Sequence, residues 1–228
     1  MPEKNPFKHL HQDHDENERS ESSLHSKTVA KRVTLGIFVV FLLLFPHYAP
    51  WEPGYAQGDS LLQRIFTLYF FVANQTLGIV HEGGHGVCYI LRCPEFVTMA
   101  NGTLFQLLFP GLIAYYYHRR GNLFAALIAL FFVGFSLQYT AWYLSTAHEG
   151  RILPAHKSFL GVDAIHDFNY MLSVMGLLAY ESLIAGFTRF IAYLIMLAAV
   201  IGMFFEAFPN KHKKSVKRGR RREKKTFK

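Results

Sequence analysis

The feature that most narrows the fold is a set of long runs that are apolar and almost free of charge. Residues 123–144, "LFAALIALFFVGFSLQYTAWYL", include no Asp, Glu, Lys or Arg. About 20 such residues span the ~30 Å hydrocarbon core of a bilayer. In lipid the backbone must satisfy its own hydrogen bonds, so a run like this crosses as a helix. Similar runs occupy 33–48, 61–91, 103–117 and 168–208. The chain is 51% hydrophobic and 16% aromatic, yet its mean hydropathy is only +0.14, because residues 1–32 and 210–228 are polar and charged.

This pattern predicts an all-α polytopic membrane protein of about six transmembrane helices with disordered termini. Residues 1–32 read as a disordered cytoplasmic tail, 33–208 as the membrane domain and 209–228 as a basic cytoplasmic tail. Residues 168–208 are long enough for two spans, with a turn near Ala185 to Arg189. The third run contains Pro110 and either crosses with a kink or dips in and returns. "RCPEFVTMANG" before it reads as a polar interruption. Six spans put both termini on one side, and basic residues mark that side as cytoplasmic. The same count leaves His118, Arg119 and Arg120 outside.

The net charge of +8 belongs to the tail. Residues 211–228 carry eleven Lys/Arg and one acid, Glu223. A basic run beside a membrane helix orients the chain and holds anionic lipid, at about 1 kcal/mol per basic residue. Nucleic-acid binding is the lesser reading. The two cysteines, Cys88 and Cys93, exclude a disulfide framework, and Cys88 reads first as a small buried filler.

Within the second run lies "GIVHEGGHGVCYIL". Residues four apart share a helix face, so His81 and His85 can ligate one metal ion. Glu82 projects beside them as a candidate general base. This is the His-Glu-x-x-His arrangement, in which Zn2+ lowers the pKa of its water toward ~7 and the carboxylate takes the proton. Ionisable groups in an apolar span are costly and usually functional. Gly78, Gly83, Gly84 and Gly86 around the motif allow close backbone approach or admit water.

A catalytic zinc usually has three protein ligands. The segment "VDAIHDF" offers His166 and Asp167, with Asp163 as an alternative. His81 lies ten residues from the end of its span, ~15 Å along a helix, which places the centre between spans two and five in the cytoplasmic half. Asn101 and Gln106 are candidates for positioning substrate through their amide donors.

An intramembrane His-Glu-x-x-His with a distant Asp-bearing motif resembles the site-2 protease-like intramembrane zinc metalloproteases. More closely, the chain resembles a group of uncharacterised bacterial membrane proteins. These have His-Glu-x-Gly-His, then Gly-[Ser/Thr]-x-x-Gln-x-x-x-Pro, then His-Asp-aromatic. Here the motifs are His81 to His85, Gly102-Thr103 with Gln106 and Pro110, and His166-Asp167-Phe168. Site-2 proteases take their third ligand from an Asp-Gly pair, and no Asp-Gly occurs here.

The resemblance implies hydrolysis of peptide bonds in membrane-protein or membrane-peptide substrates, in the bacterial inner membrane. The alternative is a non-catalytic membrane protein, an assembly factor or transporter, with a structural metal or none. A di-iron lipid oxygenase needs more clustered histidines than this chain has.

Overall fold

The computed structural model describes residues 7–48, 60–150 and 165–209. Asp163 and the basic run 211–228 lie outside the described residues. Among the described residues there are helices and no strands. They are α1 (Phe7–Tyr48), α2 (Leu61–Leu91), α3 (Glu95–Arg119), α4 (Leu123–Ser145), α5 (Asp167–Val174) and α6 (Glu181–Ala207), with a 3-10 turn at Leu178–Tyr180. Residues 7–32, expected to be disordered, continue the apolar helix outward as the first part of α1. Their Glu, Lys, Arg and Gln are good helix formers, and extending an existing helix avoids the cost of nucleation.

Among the described residues, four helical segments are long and apolar enough to cross a membrane: His25–Phe45, α3, α4 and Leu178–Ala207. This fits an integral membrane protein, with four such segments where six spans were expected. One reason lies in α2, which has 31 residues but is diluted by polar ones, including the motif itself. The other lies in 168–208, which forms the short α5 and the single long α6. The chain breaks at Gly176, whose φ of +68° suits glycine. There Leu177 N–H donates to Leu172 O at 2.7 Å and Gly176 N–H to Ser173 O at 3.0 Å, a Schellman ending. The turn expected near Ala185 to Arg189 is instead inside α6.

Nor is "RCPEFVTMANG" an interruption over its whole length. Only Arg92 to Pro94 breaks the helices. Arg92 adopts a left-handed φ of 54° and donates its N–H to the last carbonyls of α2. Cys88 is buried, as expected of a small filler, and is in addition joined to Cys93 by a disulfide. Pro94 then starts α3, whose 25 residues continue through the buried Pro110. At ~1.5 Å per residue α3 is about 37 Å long, enough to cross a bilayer, and it continues as one helix without turning back.

α4 and α6 pack antiparallel along their lengths. Gly134 faces Met196 and Ala192, and Gly202 faces Leu127, in contacts too close for another side-chain atom. Small residues that let helices approach are the usual means of association in lipid. α1 lies against this pair through an aromatic seam, with Phe38 on Phe131 at 4.6 Å and Phe45 on Phe135 at 5.8 Å. Lys31 pairs with Glu206 at 3.2 Å and lies over the Phe124 ring. The start of the α1 span, the start of α4 and the end of α6 therefore share one end of the bundle. Arg119 and Arg120, just before α4, are at that end too. α2 runs antiparallel to α3, and α3 to α4, so Cys88–Cys93, Glu95 and Glu181 are at the opposite end.

Candidate metal centre

Three elements build the centre. The glycines of α2 let α3 approach backbone to backbone. A Cβ on Gly84 would collide with the Asn101 carbonyl, and Asn101 Nδ2 donates to Gly84 O at 2.6 Å. One residue on, Gly102 lies against both imidazoles: a Cβ there would stand 2.6 Å from His85 Nε2 and 2.7 Å from His81 Nε2. Gly83 and Gly86 face open space. Close approach therefore explains Gly84 and Gly102, while nothing in the structure requires glycine at 83 or 86.

His81 and His85 project from one face of α2, with ring centroids 4.8 Å apart. His85 Nδ1 lies 2.7 Å from Thr98 O of α3. A carbonyl only accepts, so Nδ1 carries the proton, and Nε2 of a neutral ring offers a lone pair. Nε2 faces Asp167 Oδ2 at 3.3 Å, and His81 Nε2 lies 2.7 Å from the same oxygen. Two lone pairs at 3.3 Å repel unless a cation, either a proton or a metal ion, stands between them.

Asp167 is the first residue of α5 and His166 is its cap. His166 Nδ1 accepts from Asn169 N–H at 3.2 Å, its ring stacks on Tyr143 at 4.1 Å, and Nε2 lies 3.2 Å from Thr146 Oγ1. His166 is therefore not part of the group. As the cap it points back at its own helix, while the next residue turns inward. Tyr143 completes the cradle, with its OH accepting from Asp167 N–H at 3.3 Å and its ring edge toward His81.

His81, His85 and Asp167 form a buried group that can hold a metal ion, each offering one donor atom and all within 4.8 Å of one another. His81 and Asp167 have no exposed surface and His85 has 2%. Donors ~2.0–2.2 Å from a tetrahedral zinc lie about 3.3 Å apart. The His85–Asp167 contact already has that spacing, while the His81–Asp167 contact is shorter by about 0.6 Å. The residues fit a metal after a small opening. Equally, the 2.7 Å contact is a direct His–Asp pair that pairs His81 Nε2 with Asp167 Oδ2 without one. Asp167 Oδ1 and His81 Nδ1 are buried with no hydrogen-bond partner. Glu82, beside His81 on α2, is buried at 8% exposure.

Asn101 and Gln106 commit their amide donors to helix contacts. Gln106 Nε2 reaches Ser136 O, Ser136 Oγ and Thr140 Oγ1 at 3.0–3.3 Å. The whole centre lies toward the end of the bundle away from Lys31, Arg32, Arg119 and Arg120, where the sequence reading had placed it beneath the basic ends. Three residues of the cradle had no assigned role: Thr98, Gly102 and Tyr143. Gly102 alone gave a signal, as a glycine inside a quoted motif. The contact of Thr98 is made by a carbonyl, which no side-chain pattern reveals. Compared with known proteins, the chain matches no family model, no curated protein and no solved structure.

Proposed function

We propose that the protein is an intramembrane zinc metalloprotease. One observation carries this reading: three donors from positions 81, 85 and 167 converge in a buried site, beside a buried carboxylate at the His-Glu-x-x-His position. His81, His85 and Asp167 would hold the metal. Zinc held there would supply a water of lowered pKa and Lewis acidity toward a carbonyl. Glu82 takes the proton of the attacking water and returns it to the leaving amine. Thr98 and Gly102 fix the imidazoles: the carbonyl selects the tautomer of His85, and the missing Cβ leaves room for both rings. Such outer partners matter nearly as much as the ligands.

The charge distribution supports an orientation. Lys31, Arg32, Arg119 and Arg120 gather at one end, and the basic run 211–228 follows α6 from that end. Positive residues favour the cytoplasmic side. Both termini are then cytoplasmic, and "HRR" joins them instead of falling outside. The centre comes to lie nearer the non-cytoplasmic face. The disulfide at that end agrees, since disulfides persist in oxidising compartments. In the bacterial inner membrane, implied by the resemblance, that face is the outer one. The basic tail meets anionic lipid.

The direct His81–Asp167 contact favours a second reading, a structural ion pair in a non-catalytic protein. The test is metal content and membrane-peptide turnover for wild type and Glu82→Gln. Zinc in both proteins with turnover lost in the variant is the expected result. Zinc in neither, or normal turnover by Glu82→Gln, refutes the protease.

A further inference from the structure

A second feature lies below the centre. A cavity of about 550 Å³ separates α2, α3 and α4. Its walls include Val72 and Val80 of α2, Phe109 and Ile113 of α3, and Ala129 and Phe132 of α4. The Thr76 hydroxyl at its edge donates to Val72 O within α2, at 2.9 Å. Water needs two to four polar partners to reside in a cavity, and these walls do not supply them. An empty space of this size would forfeit contacts along its whole lining. Inside a bilayer the abundant apolar filler is the acyl chain.

The volume agrees. Val72 to Val80 covers about 12 Å at ~1.5 Å per residue, so a longer chain lies bent within it. A methylene takes roughly the ~30 Å³ share of a water molecule, so the cavity holds on the order of eighteen, about one long chain. A helix ~10 Å wide and equally long needs roughly 900 Å³, so a substrate helix does not fit. The charge agrees as well. The cavity reaches Tyr117 and Ala125 at the basic end. The turn joining those two residues holds His118, Arg119 and Arg120 and no acid, all three exposed. Arg120 is steadied over the Tyr116 ring at 5.1 Å.

We propose that this cavity binds one acyl chain of an anionic phospholipid, with the phosphate against Arg119 and Arg120. The chain end abuts Leu77 and Val80, on the turn before His81. The proposal requires the helices to lie in a bilayer and does not depend on proteolysis.

The test uses the full chain in vesicles containing phosphatidylglycerol or phosphatidylcholine with a photoreactive acyl chain. Phosphatidylglycerol should label peptides spanning 72–80 and 109–117. Ala129→Trp, which fills the cavity, should lower that labelling about tenfold, since the chain loses its packed contacts. Arg119→Gln with Arg120→Gln should bring phosphatidylglycerol labelling down to the phosphatidylcholine level. Should Ala129→Trp fail to fold, competition on wild type decides: excess unlabelled phosphatidylglycerol must abolish cavity labelling and spare the lipid-facing Leu183 and Phe187 of α6. Equal labelling by both lipids, no loss in Ala129→Trp, or competition that does not distinguish the cavity from α6 overturns the proposal.

Discussion

Gly102→Ala tests the centre most directly, because the structure fixes both the sign and the mechanism. The added Cβ would stand 2.6 Å from His85 Nε2, 2.7 Å from His81 Nε2 and 2.8 Å from His81 Cδ2. Each contact is about 0.7–1 Å shorter than the ~3.5 Å optimum for non-bonded atoms. Neither ring can yield freely. His85 is held by Thr98 O and His81 by Asp167. Overpacking of this kind costs about 1–3 kcal/mol. Replacing a helical glycine by alanine returns about 1 kcal/mol. Gly86→Ala supplies the comparison, since its Cβ meets nothing within 4 Å. The propensity gain is common to both variants, so Gly102→Ala should be the less stable by about 1–3 kcal/mol. At ~2–4 °C per kcal/mol for a chain of this size, the gap in Tm is about 2–12 °C. Thermal unfolding in detergent measures it. Metal content, read on the same samples, should fall in Gly102→Ala and hold in Gly86→Ala. Equal Tm and equal metal in the two variants would refute the contact between Gly102 and the imidazoles.

Asp167→Asn removes the carboxylate that meets both imidazoles, and breaking a buried pair costs about 3–5 kcal/mol; a Tm within error of wild type would contradict the pairing at 2.7 Å. Gln106→Leu leaves the buried Ser136 and Thr140 hydroxyls short of a donor, which should destabilise by about 1–3 kcal/mol, measured by the same melts. Cys88→Ser with Cys93→Ser opens a short loop, a loss of about 2 kcal/mol on chain-entropy grounds. In intact cells an impermeant thiol reagent should label the wild-type cysteines only after reduction, and labelling restricted to inverted vesicles would reverse the proposed orientation.

The motif was legible because helical spacing fixes side-chain direction. From His81 to His85 the sequence alone determines a shared face. The third donor was harder. His166 and Asp167 are adjacent and equally able to ligate, and the difference between them is one of position: the first is a cap and the second starts a helix. The capping pair His166–Asn169 uses a histidine in place of the usual Ser, Thr, Asn or Asp, so the boundary carried no familiar signal. The single long helix over 181–207 turns on a similar point. Arg189 reads as a charge that a membrane helix would avoid, yet it is inside α6, with its carbonyl accepting from Gln138 Nε2 at 3.3 Å. The real break, at Gly176, has no charge beside it. α2 was expected to be long, and it is, but its polar face is what the centre requires.

The two kinds of donor reach the centre by different routes. The imidazole pair is locked by a helix crossing in which Gly84, Asn101 and Gly102 all take part, so changing it means rebuilding two long helices. The carboxylate comes from an eight-residue helix anchored by Asn169 on Ala147 O and Tyr170 on Glu95. The fold thus holds its two nitrogens and its one oxygen on separate supports. A shift of the short helix would move the carboxylate relative to the imidazoles without disturbing the crossing that pairs them.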